Sequence, residues 1–483
     1  MNKNLRSLWL ILGTLLTLLI GGKWNLPLVA WIAPIFFIRF FRESDKAGRS
    51  FLLMWLGSAA ATSIAWHGAT FFPTAMEIGF FLLMTHISLI PYVIDRLYYR
   101  RFGSNAWLAF VFPIAMTAVD FFSSSGSPFG TFGAFGYTQR GFLPVMQIAS
   151  VAGLWGITFV INWFASLVNH IWEGGFKVTR LSLAFLCVLV LILGLGFGRI
   201  LLPSQPGQAA VIAGFSLPNG TISKVMGQFH EEDEAGLRQT VDELNAQQLE
   251  QIRAMAQAGA NIVVLQEGAG MGMTDQVEQL IDDASVIAKE ENIYIVLPTF
   301  DLGKSPAVNS VNIIDPNGEV VLSHVKYGGN MFEGTLKGEG VLQTVDTPYG
   351  RLSAVICWDA DFPAVVQQVG IQNVDLLFVP SNDWLGVKDI HSGMATFRGV
   401  ENGMTIFRQT GQGVSLVSDA YGRVLNRADT FEESAGRFVG LQKVSITISP
   451  VKTLYPSVGD AFGNVMLVGL AGLIGVLWVT RKK

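Results

Sequence analysis

Cysteine is scarce in this chain: two in 483 residues, Cys187 and Cys357. Cys187 lies inside a long hydrophobic segment, so no disulfide framework can be drawn. Metal signatures are missing too. There is no CxxC pair and no HExxH, and the histidines at 67, 86, 170, 230, 324 and 391 fall without ligand spacing. No Walker-type loop occurs, so neither a metal nor an organic cofactor is expected. Charge is also in short supply, 14% of residues against the ~25% usual for soluble proteins. The net charge of −4 comes with no basic stripe and no aromatic–basic interleaving, which argues against a nucleic-acid partner.

What is abundant is hydrophobicity, half of all residues, and it is unevenly spread. A helix needs ~20 mostly apolar residues to cross a bilayer. Seven candidates precede residue 204, at about 7–22, 26–41, 51–72, 76–95, 105–123, 145–171 and 179–202, and an eighth closes the chain at about 463–480. The first resembles a signal peptide, but no small-residue cleavage site follows it and further spans do, so it reads as a retained helix. Placing the short loops on alternate sides collects fourteen Lys and Arg on one side and three (Lys23, Arg140, Arg199) on the other. Basic loops stay cytoplasmic. Both termini are therefore expected inside, and residues 204–464 outside the cytoplasm.

The stretch SSGSPFGTFGAFGYTQRGFLP, residues 124–144, is rich in Gly and Phe and nearly uncharged. It reads equally well as a flexible connector with a few buried rings or as an apolar lip admitting a lipid chain.

From residue 204 the texture changes. Pro203, Pro206 and Gly207 mark a linker, and QAAVIAGF reads as a first strand. A helix is expected at about 232–258, with acidic residues in its first turns and Gly259 past its end. NIVVLQE has the continuous apolar run of a strand buried on both faces. A helix at 275–290 and the strand IYIVLPTF follow, then a hairpin with an Asp-Pro-Asn-Gly turn, NSVNIIDPNGEVVLSHVK. RLSAVIC and VDLLFVPSND read as further buried strands, and 388–403 as a helix. This β/α alternation predicts sheets covered by helices.

Reactive side chains fall at the ends of these strands: Glu267, Lys326, Cys357, and Asn382 with Asp383. Such ends converge at one edge of a sheet. A lone strand-end cysteine is more often core filler, and a lone Glu or Lys more often solvated. It is the joint arrangement that points to a site. Glu267 can take the thiol proton and return it to a leaving group, while Lys326 holds the thiolate and later the oxyanion. The Trp358 amide is a candidate second donor. The product of such a step is a thioester.

Glu, Lys and Cys in that order resemble the nitrilase (carbon–nitrogen hydrolase) superfamily, as do VPSNDWLG (379–386), RGVENG (398–403) and GVSLVSDAYG (413–422). That resemblance implies an αββα sandwich with a Glu–Lys–Cys triad. The seven spans, outer domain and closing span, with FGYTQRGFLPVMQIASVAGLWGITFVIN (135–162) and TLYPSVGD (453–460), are similar to the apolipoprotein N-acyltransferases. The resemblance implies a membrane domain (1–203), an extracytoplasmic catalytic domain (204–462) and an eighth helix with a basic tail (463–483), in the cell (inner) membrane. It assigns Glu267 as base, Lys326 as oxyanion stabiliser, Cys357 as acyl-bearing nucleophile and Glu333 as a second glutamate on a mobile loop. Trp358 and Asp359 stand where the family usually has Tyr-Glu. The implied partners are a phospholipid donor, a diacylated lipoprotein acceptor and the bilayer.

Two other functions share these residues. Water as acceptor gives a membrane-bound amidase for a small C–N substrate, and a degenerate site gives a non-catalytic lipid or lipoprotein binder. Replacing Cys357 by Ala is expected to abolish turnover in a chain that still folds and inserts. Cys187→Ala should be close to neutral in the same activity assay, and a large loss there would move the nucleophile.

Overall fold

The computed structural model describes residues 3–201, 207–433, 438–441 and 443–480. The linker prolines Pro203 and Pro206 and the basic tail 481–483 lie outside the described residues. The chain divides into two compact units: one draws on residues 1–127, 131–202 and 458–483, the other on 128–130 and 203–457.

The first unit is helical. Five of its helices are long and apolar enough to cross a membrane: Thr74–Phe102, Leu108–Ser125, Ala149–Glu173, Arg180–Leu201 and Ala461–Thr480. The first of these is jointed at Leu89, just before Pro91, where the amide proton needed for a continuous helix is missing. Three further helices, Lys3–Thr17, Pro27–Arg42 and Ala47–Trp66, lie where the first three spans were expected but are not among those five. Ala149–Glu173 is mostly buried, whereas Arg180–Leu201 and Ala461–Thr480 leave nearly all of their apolar surface outward, as lipid-facing helices do.

Several charged helix ends in this unit are paired. Arg42 grips Asp95 in a bidentate contact at 2.7 and 2.6 Å and reaches Glu173 at 3.2 Å, while Arg6 pairs with Asp45. A second set of loops is tied separately: Arg140 donates to the Gly21 carbonyl, Asn25 to that of Thr138, and Arg199 to the Gln147 side chain.

The second unit has fifteen strands among its described residues: β1 Gln208–Phe215, β2 Ile262–Leu265, β3 Gly270–Gly272, β4 Tyr294–Asp301, β5 Val308–Ile314, β6 Val320–Val325, β7 Val345–Thr347, β8 Gly350–Ala354, β9 Leu376–Phe378, β10 Ser381–Asn382, β11 Thr405–Arg408, β12 Thr410–Gly411, β13 Val414–Ser418, β14 Val424–Asp429 and β15 Val444–Ile448. One sheet runs β15-β1-β2-β4-β5-β6 with β3 beside β4, and the other β14-β13-β11-β9-β8-β7. β1, β2 and β4 are parallel in the first, as are β8, β9 and β11 in the second.

The sheets pack face to face. Ile212, Val264, Val296 and Ile313 of one meet Leu352, Leu376, Phe378 and Phe407 of the other in a single buried cluster. Alternate residues of the same strands point outward. Val263, Leu265 and Ile295 meet Ile252, Leu280 and Ile287 of the helices Glu234–Gln257 and Thr274–Glu291. Val355, Leu377 and Ile406 meet Val366, Val369 and Ala395 of Pro363–Ile371 and Lys388–Asn402. Parallel strands buried on both faces explain why the runs read as continuously apolar. The layers are helix, sheet, sheet, helix. One helix, Thr221–His230, is not foreshadowed by the sequence pattern, and β15 pairs back antiparallel to β1 across most of the domain's sequence.

The RGVENG motif closes a helix. Arg398 and Glu401 pair at 3.1 Å while fully buried, and Gly403 caps the helix with φ +72°. A methyl on Gly403 would lie 1.7 Å from the Val451 carbonyl oxygen. Left-handed backbone costs an ordinary residue ~1–2 kcal/mol even without such a clash. Gly403→Ala should therefore lower the melting temperature of the detergent-solubilised chain by several degrees, and an unchanged melt would show that the 451–453 segment yields freely.

Candidate active site

The ends of β2, β6 and β8 and the start of β10 lie at one edge of the sandwich. Lys326 follows β6 directly and is fully buried. Its Nζ donates to Glu267 Oε1 at 2.6 Å and to Glu333 Oε1. Asn309, on β5, donates to the same Glu267 oxygen at 2.8 Å. Burial opposes the charge on Lys326, but the two carboxylates outweigh it and hold the ammonium well above its ordinary range. Burial pushes Glu333 up, Lys326 pulls it down, and Glu267 pushes it up again, with a net rise. Glu333 ends the one-turn helix Asn330–Glu333, seven residues after Lys326, so both come from one loop.

Cys357 does not end a strand, as its sequence context suggested. β8 stops at Ala354, and Cys357 opens a 3-10 turn, Cys357–Asp361, with φ +44°. The Cys357 amide donates to the Pro380 carbonyl at 2.9 Å. The β-branched run before it is extended; at the cysteine the chain reverses into the left-handed region that side chains seldom occupy. Its sulfur points toward the Asn382 carbonyl at 3.9 Å. Burial and Glu267 push the thiol up, while His391 and Lys326 pull it down; the net direction is up.

Asp359 ties the nucleophile turn to the lysine loop. Oδ1 accepts from the amides of Tyr327 (2.9 Å) and Gly328 (2.7 Å), and Oδ2 from the Ile356 amide (2.9 Å), with His324 Nε2 2.8 Å away. Trp358 lies beside Phe332 and Phe129: Phe129 and Phe332 stack at 4.8 Å, and Phe332 and Trp358 at 5.8 Å. Phe129 belongs to the Gly- and Phe-rich stretch 124–144.

A second charged group was not legible as such. Arg408 grips Asp383 with two bonds of 2.9 and 3.0 Å, His391 Nδ1 lies 2.9 Å from Asp383 Oδ1, and His391 Nε2 lies 3.3 Å from Asp361 Oδ2. Burial raises Asp383, but Arg408 and His391 bring it down to about 2. Burial lowers His391, but Asp361 and Asp383 lift it well above its ordinary value. A nitrogen of His391, the sulfur of Cys357 and an oxygen of Asp383 all lie within 4.8 Å of one another, a spacing a metal could bridge. Both Asp383 oxygens already accept from the Arg408 guanidinium, which answers the carboxylate's charge without an ion. The available signal was positional. Asp383 stood at a strand end and the next helix began within five residues, so its first turn had to share that edge.

Residues 226–448 match the family described as Carbon-nitrogen hydrolase. With the two stacked sheets and the flanking helices, this makes the second unit a nitrilase-like domain, in a chain whose helical part suits a membrane. Residues 12–167 match the Apolipoprotein N-acyltransferase N-terminal domain, and the chain belongs to that acyltransferase family. An Apolipoprotein N-acyltransferase of Geobacter metallireducens is 24% identical over 85% of this chain and 82% of its own length. One from Haemophilus influenzae is 22% identical over 94% and 90%. Among solved structures, an amidase from Nesterenkonia sp. aligns with 52% of this chain and 94% of its own at 18% identity, with a TM-score of 0.38.

Asp359→Asn turns one acceptor into a donor facing buried amides, a loss of ~1–3 kcal/mol per unsatisfied group. A lower melting temperature and slower turnover are expected together; an unchanged melt would show that the Lys326 loop is held in place by other contacts.

Proposed function

We propose that the chain moves a fatty acyl group from a phospholipid to the N-terminal amine of an S-diacylglyceryl-cysteine lipoprotein by way of a thioester on Cys357. The observation carrying this reading is Lys326 bound between Glu267 and Glu333 beside a buried cysteine, in a chain that also matches the acyltransferase N-terminal domain. In the first half-reaction Glu267 takes the thiol proton and the sulfur attacks the ester carbonyl. Lys326 and the Trp358 amide stabilise the oxyanion. The carbon–oxygen bond then breaks, and the proton passes from Glu267 to the departing lysophospholipid oxygen. In the second half the lipoprotein amine attacks the thioester, Glu267 takes its proton, the carbon–sulfur bond breaks, and Glu267 returns the proton to the cysteine sulfur. Glu333 shares the Lys326 ammonium and sits on the loop that would move as substrates exchange, and Asn382 flanks the sulfur. No metal takes part in these steps.

Apolar side chains stand outward on that loop and nearby, Met331, Leu336 and Val341 together with Leu385. Such exposure suits a surface that meets acyl chains. The excess of Lys and Arg in alternate loops supports cytoplasmic termini and a catalytic domain on the outer side, where both lipid substrates are anchored. The eight spans expected from the sequence support a platform that admits two lipids, since a tether needs one.

Incubating the purified protein with phospholipid micelles should add one acyl mass to the intact chain, absent in Cys357→Ala. A diacylated lipopeptide should then remove it and gain the same mass. No adduct, with ammonia released from small amides instead, would favour the amidase. Glu333→Gln should slow adduct formation at least tenfold.

A further inference from the structure

The Asp361–His391–Asp383–Arg408 group has no part in the steps above, yet it lies against the reacting sulfur. His391 sits in the first turn of Lys388–Asn402, Asp361 ends the turn that begins with Cys357, Asp383 follows β10, and Arg408 ends β11. Four elements converge on one imidazole. A neutral ring can donate from only one nitrogen, but here each nitrogen faces a carboxylate, at 2.9 and 3.3 Å. Nδ1 also lies 3.1 Å from Arg408 Nη2, but only the doubly protonated ring offers a proton toward both carboxylates. Asp383 Oδ1 accepts from His391 and from Arg408 Nη2, so the two cations lie side by side on one carboxylate.

We propose that His391 is a permanent imidazolium that serves as a second counter-ion for the Cys357 thiolate. Lys326 cannot fill that role alone, because its one charge is already answered by Glu267 and Glu333. His391 gives up no proton. Its two carboxylates keep it charged while Glu267 carries the proton, so the thiolate is favoured both when the thiol ionises and when the sulfur leaves the tetrahedral intermediate. The charged groups that act on the sulfur are then Glu267, Lys326, His391 and Arg408, with Asp361, Asp383 and Glu333 acting through them. This deepens the acyl-transfer reading, since it takes Cys357 as the nucleophile.

The test is the pH profile of Cys357 alkylation by iodoacetamide, read by intact mass on the detergent-solubilised full chain in a Cys187→Ala background. His391→Gln removes a charge that lowers the thiol, so the curve should move to higher pH. A midpoint raised by about one pH unit makes labelling at neutral pH about tenfold slower. His391→Asn, which can still donate to Asp383, carries the same expectation if the Gln variant fails to fold. His391→Lys should recover part of the rate. A Gln or Asn curve that overlays the parent, in a chain with the parent's melting temperature, would reduce His391 to a packing residue and overturn the proposal; so would a Lys variant no faster than Gln. Alkylation needs neither lipid nor lipopeptide. A displaced curve in a chain that forms no acyl adduct would therefore sink the acyl-transfer reading while leaving His391 in its role.

Discussion

Lys326 carries a positive charge where water does not reach, and the site is organised around answering that charge. An isolated buried ammonium is costly enough that a lysine would ordinarily shed its proton. Glu267, fixed by Asn309, and Glu333 hold the charge in place. Because Glu333 lies on the same loop as Lys326, the loop's conformation and the lysine's electrostatic balance are coupled.

The sulfur stands between two charged groups of different make-up. One has a single cation and two carboxylates, the other two cations and two carboxylates. Neither surplus is large. A thiol in this setting is held back by burial and by Glu267, and released by His391 and Lys326. That balance suits a nucleophile that must be idle without substrate and must also leave readily in the second half of a ping-pong cycle.

Much of this was readable beforehand because strands buried on both faces announce themselves as apolar runs, and the polar residue that ends each run marks the sheet edge. β1 and the Asp-Pro-Asn-Gly hairpin fell where expected, and Glu267 and Lys326 met as their strand ends implied. Cys357 was harder. The apolar run continues through Val355 and Ile356, so nothing in residue type shows that the ladder has ended and the backbone is about to turn left-handed. His391 was harder still, because its partners lie eight residues before it, seventeen after it and thirty before it, and such pairing is created only by folding. The helix Thr221–His230 mixes polar and apolar residues with a glycine and follows a turn, so its pattern is weak.

Gly130 is packed so closely that a methyl there would lie 2.3 Å from the Asp361 carbonyl oxygen, and its neighbour Phe129 stacks on Phe332 and lies tilted against Trp358. These residues enter the nitrilase-like unit from a stretch of chain more than seventy positions before β1. Cutting the molecule at the linker to obtain a water-soluble enzyme would therefore remove a piece of that enzyme. The excised fragment would expose the faces of Phe332 and Trp358 that Phe129 covers, and would invite self-association through the bared rings.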